Sequence, residues 1–333
     1  MTQMMPLRMT RRRLLGAGGG LGVALAAPRI ARAAITEVAF TEAVHNLGYI
    51  DLYVGQRAGY FDKQGIHLNV AAAGGDTQAF AAVLGHSSLF GIGDPTMAPM
   101  SVERGGPGKI VGMVVQRAHY FGMSLHVPKI TDPKQFKGLT LVTSPDPNTN
   151  YSVTKKLLTE NGLVIGKDVK ILQVNPGTEI AAMLAGQADV AIAYEPGVAQ
   201  AEGQGAKIVF DFASYIGPFC NTGIEVLDET IKSKPEIVQA LCNGFEQAMR
   251  RVYGDPDYAK TVAKQEFPDL APAVVDRAIE AELQYKIPAQ SVVVDRASWD
   301  NLIKMQIYLK NIQGTSTFEQ IVDNSFAEKA AKM

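Results

Sequence analysis

The sequence predicts an α/β protein of two lobes, each an open sheet covered by helices. Short apolar stretches alternate with helical stretches from Ile35 onwards, which is the pattern of such sheets. The 333 residues are 47% hydrophobic and 20% charged, enough for two cores at roughly 150 residues per domain. Beyond residue 226 the pattern is mainly helical, so we expect the last helices to pack back onto the first sheet.

Strands and helices are predicted from hydrophobic spacing, with glycine marking turns such as the one at Gly65. In the first lobe we expect strands at 35–40, 67–73, 89–93 and 109–116, and helices at 49–63, 76–84 and 95–104. In the second lobe we expect strands at 122–127, 139–143, 169–174, 190–193 and 207–210, and helices at 148–161, 178–186 and 196–204.

The chain is then expected to return to the first lobe. A strand at 219–226 precedes helices at 234–253, 257–266, 272–285 and 299–309. Within the first of these helices one apolar stripe repeats every three or four residues, which predicts a buried face; it consists of Val238, Leu241, Phe245, Met249 and Val252. We therefore predict lobe 1 at 34–120 plus 220–333 and lobe 2 at 121–219. The lobes are joined by two crossings, with Gly122 and Gly217 as pivots or strand irregularities.

Residues 1–33 have the features of an export signal. A basic start precedes an apolar stretch at 14–27 and the small-residue site Ala31-Arg32-Ala33. The run Thr10-Arg11-Arg12-Arg13-Leu14-Leu15 resembles a twin-arginine signal, with an ordinary secretory leader as the alternative. Since neither cysteine lies near the cleavage site, we expect a periplasmic, soluble monomer that is not a lipoprotein.

The charge balance argues against nucleic acid as a partner. The whole chain has a formal net charge of -1, with 32 basic and 33 acidic residues. The leader holds six arginines and no acid, so the remainder carries a net charge of about -7. Such a chain offers no basic field for a phosphate backbone.

Motifs for catalysis, metals or cofactors do not emerge from the sequence. The five histidines form no close ligand pair, and no Gly-x-Gly-x-x-Gly follows the first strand. The chain has two cysteines, Cys220 and Cys242, which is too few for a zinc site. They form either one disulfide or two buried thiols, and the sequence leaves both alternatives open. We therefore predict no enzyme activity, no metal and no cofactor.

Polar turns follow five of the predicted strands, at 41–46, 74–77, 94–96, 144–150 and 194–196. Open α/β sheets bind ligands at these carboxyl ends, and clefts between domains are common ligand sites. The alternative is that the acids and amides there only cap helices. The candidate ligand-binding residues are His45, Asn46, Asp76, Thr77, Asp94, Thr96, Arg117, Asp146, Asn148, Asn150, Tyr194 and Glu195.

Three further segments stand in order and at a familiar spacing: Tyr60–Ile66 (YFDKQGI), Phe136–Val142 (FKGLTLV) and Met183–Ala191 (MLAGQADVA). Together with the leader they resemble the solute-binding proteins of ATP-driven (ABC) importers, over residues 36 to about 310. The most similar group serves sulfonates, taurine, nitrate and thiamine-precursor pyrimidines. The resemblance implies a type II, two-lobed periplasmic binding fold that closes on a small solute by hinge motion and is recognised by membrane permease subunits.

The nature of the solute is predicted from one departure from the family. Members often have a Gly/Ser-rich turn that can cradle an oxyanion, whereas Asp146 and Pro147 stand there in this chain. With Glu42, Asp94 and Glu195 also acidic, we expect a solute with N–H donors, such as a nitrogen heterocycle.

The sequence leaves the class of solute and the activity open. Arg117 or His45 in the cleft would favour an oxyanion such as a sulfonate or nitrate. A pyrimidine-synthase-like enzyme and a sensory subunit are both compatible with the same fold. Glu195 is the residue we expect first in contact with the ligand, because Pro196 has no N–H to donate to it.

Overall fold

Two five-stranded sheets organise the protein, and both have the same pattern of strand directions. The computed structural model describes residues 35–146 and 148–333, so the predicted leader at 1–33 and Pro147 lie outside the described residues. The strands are β1 (Thr36–Glu42), β2 (Ile66–Ala72), β3 (Phe90–Gly93), β4 (Lys109–Arg117), β5 (Phe121–Ser124), β6 (Thr140–Thr143), β7 (Lys170–Gln173), β8 (Val190–Ala193), β9 (Lys207–Asp211) and β10 (Pro218–Val226).

Helices connect and cover these strands, together with short 3₁₀ turns at Leu47–Tyr49 and Pro133–Phe136. The α-helices are α1 (Ile50–Arg57), α2 (Tyr60–Lys63), α3 (Asp76–Leu84), α4 (Met97–Val102), α5 (Thr149–Glu160), α6 (Glu179–Leu184), α7 (Gly197–Gly203), α8 (Phe212–Ile216), α9 (Asp228–Ser233), α10 (Pro235–Gly254), α11 (Pro256–Glu266), α12 (Pro272–Gln284), α13 (Arg296–Tyr308), α14 (Phe318–Ile321) and α15 (Ser325–Ala330).

Each sheet has three parallel strands followed by one reversed strand and an edge strand. The first sheet has the order β2-β1-β3-β10-β4, and the second has the order β7-β6-β8-β5-β9. Strand β10 is antiparallel to β3 and β4, and β5 is antiparallel to β8 and β9. The parallel strands therefore end at one edge of each sheet, where open sheets bind ligands.

The chain crosses between the sheets at two adjacent places. The first crossing joins β4 to β5, and the second joins α8 to β10. Arg117 lies opposite Pro218 in the strand register, and the N–H of Phe212 donates to the carbonyl of Tyr120. The predicted two-lobed α/β fold with two crossings is thus confirmed, while the lobe boundaries stay a prediction.

The two predicted pivot glycines differ in their surroundings. Gly217 has a φ of +77° and no atom near the position of a Cβ, so glycine suits its left-handed backbone. Gly122 sits inside β5 at a register shift, and a Cβ there would lie 3.2 Å from that of Phe210. Gly122 is therefore a packed strand irregularity.

Helix α10 buries its predicted stripe completely. All five stripe residues are inaccessible to solvent, and the helix packs on α1, α2 and strands β2 and β4. The C-terminal helices therefore do return to the first sheet, as expected. Helices α12 and α13 also contact α7 and α5 beside the second sheet.

Several element boundaries differ from the predictions. The helix expected over 49–63 is divided into α1 and α2, because Gly59 has a φ of +65° that interrupts the helical backbone. Helix α13 begins earlier than expected, since the side chain of Asp295 accepts hydrogen bonds from the N–H groups of Ala297 and Ser298. Helices α8, α9, α14 and α15 were not predicted.

Both cysteines are free and buried. Cys242 lies with its sulfur 3.6 Å from the carbonyl oxygen of Val111, so its thiol faces the protein interior. Of the disulfide and the buried thiols that the sequence left open, the structure shows the buried thiols. In the described ranges, no helix has the length and apolarity needed to span a membrane.

Asp51 is an acid inside the first-lobe core. It lies in α1 with no exposed surface; its Oδ1 accepts the N–H of Leu52, and its Oδ2 has no hydrogen-bond partner. Burial raises the pKa of Asp51 from 3.8 to about 8. The folded protein therefore holds a proton on this group that the unfolded chain releases at neutral pH.

We predict that Asp51→Asn reduces the pH dependence of stability. Asp51 contributes fully to the free energy of unfolding below the pKa that it has in the unfolded chain. This contribution is lost as the pH rises towards about 8, by up to about 1.4 kcal/mol per pH unit. Denaturant unfolding measured at several pH values between about 5 and 8 should show a flatter curve for the variant. Asp269→Asn, which alters an exposed acid, should keep the wild-type slope. A slope unchanged in Asp51→Asn would contradict this account.

Candidate functional site

A cavity of about 270 Å³ lies where the strand ends of the two sheets face each other. The first sheet contributes the turns after β1, β2 and β3 and part of β10. The second contributes the turns after β6, β7 and β8. An adjoining cavity of about 320 Å³ shares Val44, Asn46, Pro176 and Tyr194 with it. The polar turns that the sequence predicted at strand ends therefore converge on one place.

Seven of the predicted residues line the main cavity: Asn46, Asp76, Thr77, Asp94, Asn148, Asn150 and Tyr194. They come from both sheets. Asn46 also accepts the N–H of Gly48 and so caps a 3₁₀ turn, which is the capping role that the sequence left open for such residues.

Glu195 lies outside the lining of both cavities, so its contact with a ligand stays a prediction. The argument from Pro196 left the carboxylate without a nearby donor. In the structure its Oε2 accepts the N–H of Ala199 at 2.9 Å, so the side chain bonds within the first turn of α7. It is 1% exposed, and burial raises its pKa to about 7.

Asp146 and Arg117 also stay outside the cavity lining. Asp146 is exposed, and its N–H donates to the side chain of Gln173. The argument that its charge opposes an anion in the cleft therefore fails. Arg117 ends β4 opposite Pro218, and its side chain does not line the cavity.

His45 and Thr96 support neighbouring groups. His45 lies 2.9 Å from Glu42 Oε1 and stacks on Phe267, so it lines the adjoining cavity but not the main one. Thr96 is buried and donates both its N–H and its hydroxyl to Asp94 Oδ1. Thr96 therefore orients Asp94 without lining the cavity.

Asp76 and Asp94 form a connected pair of acids on the first-sheet wall. Asp76 Oδ1 accepts the N–H of Asp94 at 2.8 Å, and Asp94 Oδ2 accepts the hydroxyl of Thr149 at 2.9 Å. The bond to Thr149 reaches from the turn after β3 to helix α5 beside the second sheet. It joins the two walls of the cavity directly.

Burial raises the pKa of both acids. For Asp76 the pKa rises to about 6, through burial first and repulsion from Asp94 second. For Asp94 burial also raises the pKa, although the hydrogen bonds from Thr96 and Thr149 act against it. Glu225 is fully buried, neither of its carboxyl oxygens has a hydrogen-bond partner, and burial raises its pKa well above 4.5.

The second-sheet wall holds a separate network. Ser144 donates to Glu179 Oε1 at 2.6 Å, and the amide nitrogen of Asn150 donates to Ser144 Oγ at 3.0 Å. All three residues are buried. Glu179 lines the adjoining cavity and was not identified from the sequence.

Four aromatic rings line the cavity, and two of them, His119 and Tyr120, lie in the first crossing. His119 and Tyr194 stack with centroids 5.5 Å apart and planes 9° apart, while Tyr49 and Tyr120 line the same space. Burial lowers the pKa of His119 to about 4. Glu282 lies 3.9 Å from His119, and burial raises its pKa well above 4.5.

The charged side chains among the described lining residues are acidic. Neither Lys nor Arg occurs among the described lining residues, whereas Asp76 and Asp94 are both there. Two helix N-termini at the cavity, those of α3 and α5, have no side-chain cap. Within the described ranges no group of three His, Cys, Asp or Glu residues could hold a metal ion.

Some cavity residues were missed by sequence reasoning. His119 and Tyr120 lie in the first crossing, and Asn221 and Thr222 follow the second one in β10. Their polarity beside a predicted crossing was the signal that could have identified them. Thr149 could have been found too, since it stands inside the predicted polar turn at 144–150.

The chain is similar to known proteins over most of its length. The family model described as "NMT1/THI5 like" matches residues 46–259. The binding protein YtlA of Bacillus subtilis is 20% identical over 301 residues, covering 89% of this chain and 90% of YtlA.

Solved structures show the same fold at low identity. A ligand-binding component of an ABC-type import system from Staphylococcus aureus has a TM-score of 0.73 at 11% identity, covering 90% of this chain and all of the other. The alkanesulfonate-binding protein SsuA of Xanthomonas axonopodis, bound to MOPS, has a TM-score of 0.68 at 14% identity, with 90% and 98% covered. The fold is that of the periplasmic binding proteins.

An enzyme also shares this fold. The desulfurization enzyme DSZB has a TM-score of 0.66 at 14% identity, covering 89% of this chain and 99% of the enzyme. The fold alone therefore does not distinguish a binding protein from an enzyme. That distinction depends on the residues of the cavity.

We predict that Glu195 supports stability and not ligand contact. Glu195→Ala removes the acceptor for the N–H of Ala199 and should lower the free energy of unfolding by about 1 kcal/mol. Glu195→Gln keeps an acceptor and serves as the matched control. Denaturant unfolding and titration of a cavity ligand should show unchanged affinity in both variants. A loss of affinity in Glu195→Gln at unchanged stability would show instead that Glu195 contacts the ligand.

Proposed function

The chain belongs to the NMT1/THI5-like family, and from that premise we propose that it is the solute-binding component of an ABC-type importer. In this role it holds a small organic solute between its two lobes and presents it to membrane permease subunits. The fold, the cavity between the sheets and the relatives named above support this role. The export signal predicted at 1–33 supports a periplasmic location, where the protein acts as a monomer.

The observation that carries the choice of solute is the charge of the cavity. Two carboxyl groups face it, and the described lining residues include neither Lys nor Arg. A buried carboxylate gains more from an N–H donor or a cation than from water, whereas an anion beside it is repelled. The solute is therefore neutral or cationic and carries N–H donors, as a nitrogen heterocycle does.

An oxyanion is the second candidate, and one observation favours it. The N-termini of α3 and α5 reach the cavity without side-chain caps, and such termini attract anions. The sulfonate bound by the SsuA relatives belongs to this class. Asp76 and Asp94 stand beside both helices, so an oxyanion would need at least one of them protonated.

Binding without turnover is proposed over an enzyme on the same fold. His119 lines the cavity, and burial lowers its pKa to about 4, so it is uncharged at neutral pH and a weak general base. A product formed from a bound solute would show that the protein is an enzyme. A sensory subunit would have the same cavity. Genes for a permease and an ATPase beside the gene for this chain would indicate an importer component instead of a sensory subunit.

We predict that Asp76→Asn weakens solute binding. Loss of a charged hydrogen bond should cost about 1.5 to 3 kcal/mol of binding free energy. Calorimetric titration with the solute that co-purifies from the periplasm, identified by mass spectrometry, measures the change. Asp146→Asn alters an exposed acid nearby and should bind as the wild type does.

The same titration gives a pH dependence. Because the pKa of Asp76 is about 6, lowering the pH from about 7.5 to 5 protonates it and should weaken the binding of a cation, while Asp76→Asn should lose this dependence. A sulfonate or nitrate that binds better at low pH, or better to Asp76→Asn, would establish the second candidate instead.

We predict that solute binding closes the lobes by rotation near the two crossings. Gly217 is the proposed pivot, since its backbone has room to rotate. Small-angle scattering should show a smaller radius of gyration at saturation with the solute. Gly217→Ala strains a φ of +77° and should weaken this response. A scattering profile unchanged by saturating solute would rule the closure out.

A further inference from the structure

Thr149 and Asp94 form a direct side-chain bond between elements of the two sheets. Asp94 follows β3 of the first sheet, and Thr149 is the first residue of α5, which packs on β8 of the second sheet. The hydroxyl of Thr149 donates to Asp94 Oδ2 at 2.9 Å, and both residues are buried. Because both ends are buried, neither group can exchange its partner for water while the sheets keep this arrangement.

Thr96 holds the acceptor of this bond in place. Its N–H and its hydroxyl both donate to Asp94 Oδ1, so this oxygen is engaged within the turn after β3. The other oxygen, Oδ2, is the one that accepts from Thr149. The carboxyl group therefore has a fixed orientation that does not depend on Thr149, which lowers the entropy cost of forming the bond.

A second side-chain contact joins α12 to α7. Arg277 Nε lies 3.2 Å from Glu202 Oε2, and Arg277 Nη2 lies 3.4 Å from Glu202 Oε1, which gives a two-point ion pair. Helix α7 connects β8 to β9 of the second sheet. Arg277 and Glu202 line neither the main cavity nor the adjoining one, so this contact is independent of the acid pair.

Helix α12 is attached to elements of the first sheet, so its contact with α7 also joins the two sheets. Lys264 of α11 pairs with Asp276 of α12 at 2.6 Å, and α11 packs on α1. Directly after α12, the carbonyl of Ile287 accepts the N–H of Gln116 in β4. The helix is therefore held to the first sheet along its length and at its C-terminal end.

We propose that these two contacts, the Thr149–Asp94 clasp and the Arg277–Glu202 clasp, populate the closed form of the protein before any solute binds. Each clasp joins an element of the first sheet to one of the second, so both break when the lobes rotate apart. The solute-free protein is then a mixture of open and closed forms, and a solute shifts the remaining open molecules to the closed form. The inference goes beyond the proposed function, because it concerns the protein without its solute.

The two clasps differ in their response to salt. The side chains of Arg277 and Glu202 are 41% and 29% exposed, so dissolved ions screen their attraction. The bond between Thr149 and Asp94 is buried and is screened much less. High salt should therefore weaken the Arg277–Glu202 clasp and leave the other largely intact.

The distance between two spin labels can measure the open and closed forms directly. Ala72→Cys at the end of β2 and Asn175→Cys in the turn after β7 introduce exposed attachment points, one on each sheet. Both native cysteines are free but buried, so the labels should react at the new positions. Pulsed electron spin resonance on the solute-free protein should show two distances, of which the shorter belongs to the closed form.

Variants of the first clasp should change the ratio of closed to open molecules. Thr149→Val removes the hydroxyl at nearly the same size and should lower this ratio about fivefold or more. Thr149→Ser keeps a hydroxyl and is the matched control, so its ratio should stay close to that of the wild type.

Variants of the second clasp should act in the same direction but more weakly. Arg277→Gln should lower the ratio about two- to fivefold, and so should about 0.5 M salt with the wild type. Arg277→Glu should lower the ratio further by repulsion from Glu202. Adding Glu202→Arg to Arg277→Glu restores an ion pair and should restore the ratio.

Two results would overturn the inference: a wild-type protein that shows only the longer distance, or a ratio unchanged in both Thr149→Val and Arg277→Gln. A ratio unchanged in one of them removes that clasp alone. Should Thr149→Val fail to fold, the variants of Arg277 and Glu202, whose side chains are partly exposed, still provide the test. If a solute binds and shortens the distance in a protein that is otherwise open, the proposed function stands and only this inference fails.

Discussion

The exchange of one strand at each crossing is the constraint on which the rest of the fold depends. Strand β5 joins the second sheet as soon as the chain leaves the first, and β10 returns to lie between β3 and β4. Since β10 is antiparallel to both neighbours, it satisfies backbone groups that would otherwise be unpaired in the middle of the first sheet. The two crossings must therefore stay side by side, as the pairing of Arg117 with Pro218 shows.

This arrangement also creates the electrostatics of the cavity. Bringing the carboxyl ends of the strands together places the half-buried Asp76 beside the buried Asp94, where water no longer stabilises their charges fully. Three hydrogen bonds to Asp94, from Thr96 and Thr149, offset part of that cost. The described lining residues supply no cation to offset the rest, which is the basis for proposing a solute with N–H donors.

Some acids in the turns after parallel strands line the cavity, and others do not. Asp76, the first residue of α3, and Asp94, directly after β3, both line it. Glu195 does not line it, and its side chain instead accepts the N–H of Ala199. Asp146 does not line it either, because its turn places it at the protein surface.

Local spacing and composition already specify the alternation of strands and helices, the buried stripe of α10 and the polar turns at strand ends. The sequence also resembles a family and indicates a small-molecule ligand. Tertiary structure alone decided that His119, Tyr120 and Asn221 share a cavity with Asp76, since those residues come from separate crossings. The same holds for the hydrogen bonds of Asn150, because Ser144, Glu179 and Ile192 surround its side chain only when helix α5 packs against the second sheet.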